Sequence, residues 1–497
     1  MNYQSTRGGQ TGISASQAIV QGLSRDGGLF VPETLPTLTK EEWECLQNSS
    51  YPDQARLILK KFMDFTDEEI DTCVDGAYNT RNFDHESIAP LADLEDGLSI
   101  QELWHGPTCA FKDMALQILP YLLTISAKKN GEKNEIVILV ATSGDTGKAA
   151  LEGFKDVPGT KIVVFFPDEG VSQVQKQQMV TQTGGNVMVA AIRGNFDDAQ
   201  NAVKTIFGDE EIAKKLDESH MQLSSANSIN WGRLLPQIVY YAAACARWMK
   251  AGKAANGVDV VVPTGNFGNI LAAYYAKQLG APIRRLICAS NANKVLTDFI
   301  RTGTYDRNRA FEKTISPSMD ILISSNLERL LYELTGHDGA KVAGWMNELK
   351  QTGSYTVDEA TKAKIQELFW AGYADDSMTS ATISKVWKEK QYLLDTHTAV
   401  AYCVYEQYRA ENGNECPVLI ASTANPFKFA GSVGKAVMGE EAIAGIDEFT
   451  LLKKLSAATE NPIPQGLRDL EQREVLHKTV ADKENIARVL LDYLQVK

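Results

Sequence analysis

At 497 residues the chain exceeds what one hydrophobic core supports, so two or three domains sharing a cleft are expected. A composition of 44% hydrophobic and 23% charged residues with 37 glycines excludes a disordered or fibrous chain. The 63 acidic against 50 basic residues leave a formal charge of -13, which repels a phosphodiester backbone and argues against nucleic acid as a partner.

The seven cysteines, at 45, 73, 109, 245, 288, 403 and 416, are scattered, with no CxxC pair and no histidine at metal-ligand spacing. Neither a metal site nor a disulfide framework is expected. The start, MNYQSTRGGQ, is polar, and the apolar runs IVILVA and VDVVVP are far too short to cross a bilayer. A cytoplasmic protein without a membrane partner is the expectation, and monomer and homodimer both remain open.

In chain order, residues 12 to about 80 read as helices, including Ala15 to Leu23 and Tyr51 to Asp64, around the Gly- and Pro-bearing stretch DGGLFVPETLP. A helical N-terminal domain over 1–95 follows. After Glu95-Asp96-Gly97, β-branched runs alternate with helices: strands at Ile136 to Ala141, Lys161 to Phe166 and Asn186 to Ile192, and helices at about 146–156 and 171–184. A second set has a helix from Trp231 to Lys250, the strand Val258 to Pro263, a helix from Asn269, the strand Leu286 to Ser290 and the strand Pro417 to Ser422. Such alternation predicts an α/β fold of two doubly wound parallel-sheet units with a site between them. The smaller unit covers 131–224 and the larger 96–130 with 225–497. Residues 291–390 read only as an insertion or extension of the larger unit.

Ligands collect beyond the C-terminal ends of parallel strands, and the loops there are glycine-rich. Thr142-Ser143-Gly144-Asp145-Thr146-Gly147-Lys148 opens a helix whose start can face an anion. A nucleotide P-loop would need Gly at 142 and Ser or Thr at 149, where this chain has Thr142 and Ala149. Gly265-Asn266-Phe267-Gly268-Asn269 can hold a phosphate dianion on backbone amides, although a tight turn without a ligand fits the same five residues. Its GxxG spacing, and a next strand ending in Ser and Asn, disfavour a dinucleotide. In HGPTCAFKD, Lys112 stands at the first turn of the apolar segment DMALQILPYLL, where burial would make it an amine nucleophile; from position alone a solvated surface lysine is the commoner case.

The series HGPTCAFKD, TSGDTGKAA, SSANSINWGRLLPQ, PTGNFGN and ASTANPFKF is similar, in that order, to the motifs of the threonine synthases, in the branch typical of many bacteria and fungi. YQSTRG and SRDGGLFVPE resemble that family's N-terminal domain, and TISPSMDI with SSNLERLLY a later segment, so the resemblance runs from about residue 3 to about 440. It implies the tryptophan-synthase-β-like fold (fold type II) and pyridoxal 5'-phosphate (PLP) held as a Schiff base on Lys112. The backbone of Gly265, Asn266, Phe267, Gly268 and Asn269 would cradle the cofactor phosphate, and Thr423 would meet the pyridine nitrogen. Ser143, Gly144, Asp145 and Thr146 would receive the substrate carboxylate, with Asp145 standing where relatives outside this branch usually carry asparagine. Lys148, Arg7 and Arg233 are the cationic candidates for the substrate phosphate, while Cys109 reads as a small apolar filler. The implied reaction converts O-phospho-L-homoserine and water to L-threonine and phosphate, with the smaller unit closing on the substrate. The alternatives are a related phospholyase that stops at 2-oxobutyrate, a serine or threonine dehydratase or cysteine-synthase-like enzyme of the same fold, and a non-catalytic phosphometabolite-binding protein.

Overall fold

The computed structural model describes every residue except Ser143, Gly170, Asn414, Glu415 and Lys497, and of Phe196 and Asp197 only the backbone. Two sheets dominate it. The larger has six strands in the order Phe369–Tyr373, Ile283–Ser290, Val258–Pro263, Val418–Ser422, Leu98–Glu102 and Leu91–Glu95. All its neighbours are parallel except the last pair. The smaller has five parallel strands in the order Thr479–Asp482, Val187–Arg193, Thr160–Pro167, Glu135–Ala141 and Met221–Ser224. The expected α/β architecture of two parallel-sheet units is therefore present.

The continuous apolar run VDVVVP follows from its central place. Val258, Val260 and Val262 face one hydrophobic cluster and Val261 another, so both faces of the strand are covered. Asp259, fully buried on the same strand, is satisfied by Arg284 at 2.9 and 2.7 Å and by the Tyr408 hydroxyl at 2.9 Å. In the smaller sheet Ile138, Val140, Ile162 and Val164 face the main core, while Val137, Leu139, Val163 and Phe165 pack with the C-terminal helix Ile486–Leu494. The helix Trp231–Lys250 spans the predicted residues. Asn230 caps it by accepting the Gly232 N–H at 2.8 Å, and it packs against the N-terminal helix Tyr51–Phe62 and against Gly268–Gln278.

Three features differ from the sequence expectation. The N-terminal region carries, besides its helices, a three-stranded antiparallel sheet of Ile13–Ser14, Asn2–Ser5 and Phe30–Pro32, whose strands are too short to show a period. Glu95-Asp96-Gly97 is a hairpin turn within the larger sheet, not a domain boundary. The chain also returns to the smaller sheet at its end, because Thr479–Asp482 pairs with Val187–Arg193, whereas the sequence keeps all of 225–497 in the larger unit. Residues 291–390 supply the edge strand Phe369–Tyr373 and a set of helices beside it.

Near Lys112 the predicted apolar helix is two pieces, Asp113–Leu116 and Leu119–Lys129, since Pro120 has no N–H to continue the ladder and takes the first turn of the second piece. The Leu116 carbonyl is then approached by Gly153 of the helix Asp145–Phe154, where a Cβ would lie 2.0 Å from that oxygen. Only glycine permits this approach.

Candidate active site

The segment carrying Lys112 is clamped onto the loop beyond the strand Val418–Ser422. Phe111 N–H donates to the Thr423 carbonyl at 2.8 Å and Asn425 N–H to the Cys109 carbonyl at 3.0 Å, with an antiparallel bridge between Ala110 and Ala424. Cys109 adopts a left-handed φ of 59°, and burial pushes its thiol up to about 12, which suits filler rather than nucleophile. Thr108 donates its N–H and hydroxyl to the buried Asp113 at 2.8 and 2.7 Å.

The Lys112 amine lies 3.2 Å from the Ser318 hydroxyl and 3.6 Å from Asp145 Oδ2. Burial lowers its proton affinity, Asp145 pulls the other way, and the cations of Lys428 and Arg233 lower it again, for a net downward shift. A lysine so placed gives up its proton more readily than a solvated one.

The loop Gly265 to Asn269 passes directly beside Ser318, for a Cβ on Gly265 would come 2.6 Å from the Ser318 carbonyl. Phe267 is left-handed at φ 65°, and the helix Gly268–Gln278 starts immediately after it with no side chain capping its first N–H groups. The loop carbonyls are already used: Ser324 Oγ donates to Gly265 O at 2.7 Å, and Asn326 donates both N–H and Nδ2 to Asn266 O at 3.0 Å. Asn269 Oδ1 accepts from the Tyr240 and Tyr241 hydroxyls at 2.6 and 2.7 Å, which leaves Nδ2 a buried donor without a partner among the described residues. An uncapped helix start beside an orphaned amide fits a phosphate group.

In the second loop Thr142 Oγ1 accepts from Gly144 and Gly147 N–H, both at 3.0 Å, and holds the start of the helix Asp145–Phe154. Asp145 Oδ1 pairs with Lys428 at 2.8 Å and accepts from Gln175 at 3.2 Å; burial opposes its charge, but Lys428 and Lys112 hold it well below the usual carboxylate range. Asp145 thus faces Lys112 and a second cation. Thr146 is half-buried there, and Ser143 lies outside the described residues.

The three phosphate candidates separate. Arg7 forms a two-pronged bond with Glu328 at 2.9 and 2.8 Å, and Lys148 bonds Glu152 at 2.6 Å and Gln182, so both are neutralised by carboxylates. Arg233 is buried with one guanidinium nitrogen on the Ala226 carbonyl at 2.5 Å and Nε without a partner. No carboxylate pairs with it among the described residues, and burial pushes it down to about 10. Thr423 is buried, and its hydroxyl has no hydrogen-bond partner among the described residues, whereas Ser422 Oγ is held between Trp104 Nε1 at 2.9 Å and Thr398 Oγ1 at 3.0 Å.

Sequence reasoning missed Ser318, His397 and Lys428. The only trace of Lys428 in the sequence is a lysine between two phenylalanines in ASTANPFKF, and the traces of the others are SPSMD and DTHT.

A buried amine beside an uncapped helix start, at the C-terminal ends of parallel strands, defines a PLP-dependent enzyme, and the family described as pyridoxal-phosphate dependent enzyme matches residues 79–368. The families described as threonine synthase N terminus and threonine synthase, C-terminal match residues 2–78 and 398–489. Threonine synthase of Saccharomyces cerevisiae is 36% identical over 98% of this chain and 99% of its own. The PLP-bound threonine synthase from Brucella melitensis superposes with a TM-score of 0.88 at 38% identity, covering 100% of this chain and 99% of that one. Human threonine synthase-like 1 is 42% identical over 86% of this chain, which spans 58% of that protein's length. The chain belongs to the threonine synthase family.

Proposed function

We propose that this chain converts O-phospho-L-homoserine and water to L-threonine and inorganic phosphate with PLP bound at Lys112. The observation that carries this reading is the company of the Lys112 amine: an orphaned Asn269 amide at an uncapped helix start, and a buried Arg233 with no carboxylate partner. One cradle suits the cofactor phosphate, and a guanidinium without a carboxylate among the described residues suits the phosphate of the substrate.

When bound, PLP supplies an electron sink that acidifies the carbon bearing the substrate amine. Lys112, whose proton affinity burial lowers, takes and returns protons at the α- and β-carbons. The start of the helix Asp145–Phe154 receives the substrate carboxylate, and Arg233 holds the phosphate until it leaves the γ-carbon. The Thr423 hydroxyl would serve as a neutral partner for the ring nitrogen, and a clamped, buried site keeps water from the α-carbon until it adds at the β-carbon. The seven cysteines form no disulfide among the described residues, which suits a reducing cytosol, and no described helix is long and apolar enough to cross a membrane.

The test is incubation of the purified chain, loaded with PLP, with O-phospho-L-homoserine while threonine, 2-oxobutyrate and phosphate are measured together. Threonine matching phosphate, abolished in Lys112→Ala, supports the reading. Phosphate released with 2-oxobutyrate and no threonine replaces it with a phospholyase, and no phosphate release overturns it.

A further inference from the structure

Lys428 lies in the turn Asn425-Pro426-Phe427-Lys428, beyond the central strand Val418–Ser422 of the larger sheet, and its side chain is 0% exposed. Its amine bonds Asp145 Oδ1 at 2.8 Å and donates to the Thr108 carbonyl at 2.8 Å. Asp145 starts the helix that leaves the strand Glu135–Ala141, so the ion pair joins the two sheet units. A lysine shut off from water is costly unless paired, and here its partner is a carboxylate that also lies 3.6 Å from Lys112.

Building on the PLP reading above, we propose that Lys428 is a positioning residue for the Lys112 amine: by holding Asp145 more closely than Lys112 does, it prevents that carboxylate from retaining a proton on Lys112. The Lys112 amine must be neutral to attack a carbonyl and to accept a proton from carbon. Without Lys428, Asp145 becomes an uncompensated anion beside Lys112, and an opposite charge within ~4–6 Å favours the charged amine by about 1–3 pH units. Loss of the repulsion between the two lysines acts in the same direction. Arg233 also faces Lys112, and the His397 ring lies near Asp145. Asp113 and Cys109 feel Lys428, and Glu152 acts on Asp113. None of these differs between the variants below.

The experiment reads the pH dependence of Lys112 labelling by trinitrobenzenesulfonate, resolved by peptide mass spectrometry, on the full chain stripped of cofactor. Lys428→Met raises the labelling midpoint by about one pH unit or more. The double variant Lys428→Met with Asp145→Asn returns it toward the wild-type value, because the pair is then removed as a neutral unit. If Lys428→Met does not fold, Lys428→Gln, which keeps a donor for Asp145 and for the Thr108 carbonyl, carries the same expectation. An unchanged midpoint overturns the proposal, and so does a raised midpoint that persists in the double variant, since Asp145 would then not be the mediator. Protection of wild-type Lys112 by added PLP is read in the same assay, so failure of the cofactor reading is seen separately from failure of the Lys428 proposal.

Discussion

The backbone N–H of Ser318 donates to Nε2 of His397 at 3.1 Å, so a ring far along the chain sets the turn whose hydroxyl meets Lys112. Because Nε2 accepts, Nδ1 carries the proton, and it lies 3.0 Å from Asp395 Oδ1. His397→Leu removes the acceptor and loosens the turn Pro317–Met319. A lost hydrogen bond of about 1–2 kcal/mol corresponds to a fall in kcat of roughly tenfold with little change in KM. His397→Gln, whose amide oxygen can accept, recovers part of the loss. Steady-state kinetics on both variants check this, and a wild-type kcat in His397→Leu would remove His397 from the site.

Arg233 is held at a cost to stability, because a buried guanidinium without a carboxylate has lost its water and gained little in return. Arg233→Met is therefore expected to raise Tm. The same change raises KM for the phosphorylated substrate by roughly 100-fold, the scale of about 1.5–3 kcal/mol for hydrogen bonds to a charged group. Thermal unfolding and kinetics on one preparation test both arms, and an unchanged KM assigns the phosphate elsewhere.

The two glycines of the loop proposed to cradle the cofactor phosphate are not equivalent. A Cβ on Gly265 meets the Ser318 carbonyl at 2.6 Å, which requires backbone to move, while one on Gly268 meets only the Asn326 amide at 3.5 Å. Gly265→Ala is expected to weaken cofactor retention by about tenfold or more, the effect of roughly 1–3 kcal/mol of overpacking, and Gly268→Ala by less. Cofactor absorbance remaining after dialysis ranks the two, and the reverse order would refute the placement of the cradle.

His105 bonds Asp84 at 2.6 Å and Glu102 at 2.9 Å. Burial alone would lower its proton affinity, but the two carboxylates override it and raise its pKa from 6.5 to about 9. A folded-state value above the unfolded one means the proton stabilises the fold. That contribution is complete below the unfolded value of 6.5 and is lost as pH rises to about 9. Wild-type Tm should decline across this interval, and the His105→Gln variant should lack that part of the decline. Parallel Tm curves for the two proteins would show that His105 is not held as a cation.

The central strands IVILVA and VDVVVP were legible because both of their faces are covered, so every side chain is apolar or satisfied. The edge strands Met221–Ser224 and Thr479–Asp482 were not, for all their residues except Ala481 are half or fully exposed and they carry no alternation. Lys112 and the two glycine loops could be read because backbone geometry restricts residue type locally: a left-handed turn, an uncapped helix start, a lysine at the first turn of an apolar segment.

The sequence by itself therefore determined the α/β class and most of the strands that feed the site, and it singled out Lys112 and the two glycine loops that the fold brings together. The tertiary structure alone decided which charges are free and which are committed. Arg7 meets Glu328 and Lys148 meets Glu152, while Arg233 meets no carboxylate among the described residues, and nothing in the three residue types separates them. Lys428 acquires its role only by reaching Asp145 and the Thr108 carbonyl, and His397 only by reaching Ser318. Such roles are sums of Coulomb and hydrogen-bond energies over a few ångströms of space, and the fold brings those ångströms together from segments far apart in the chain.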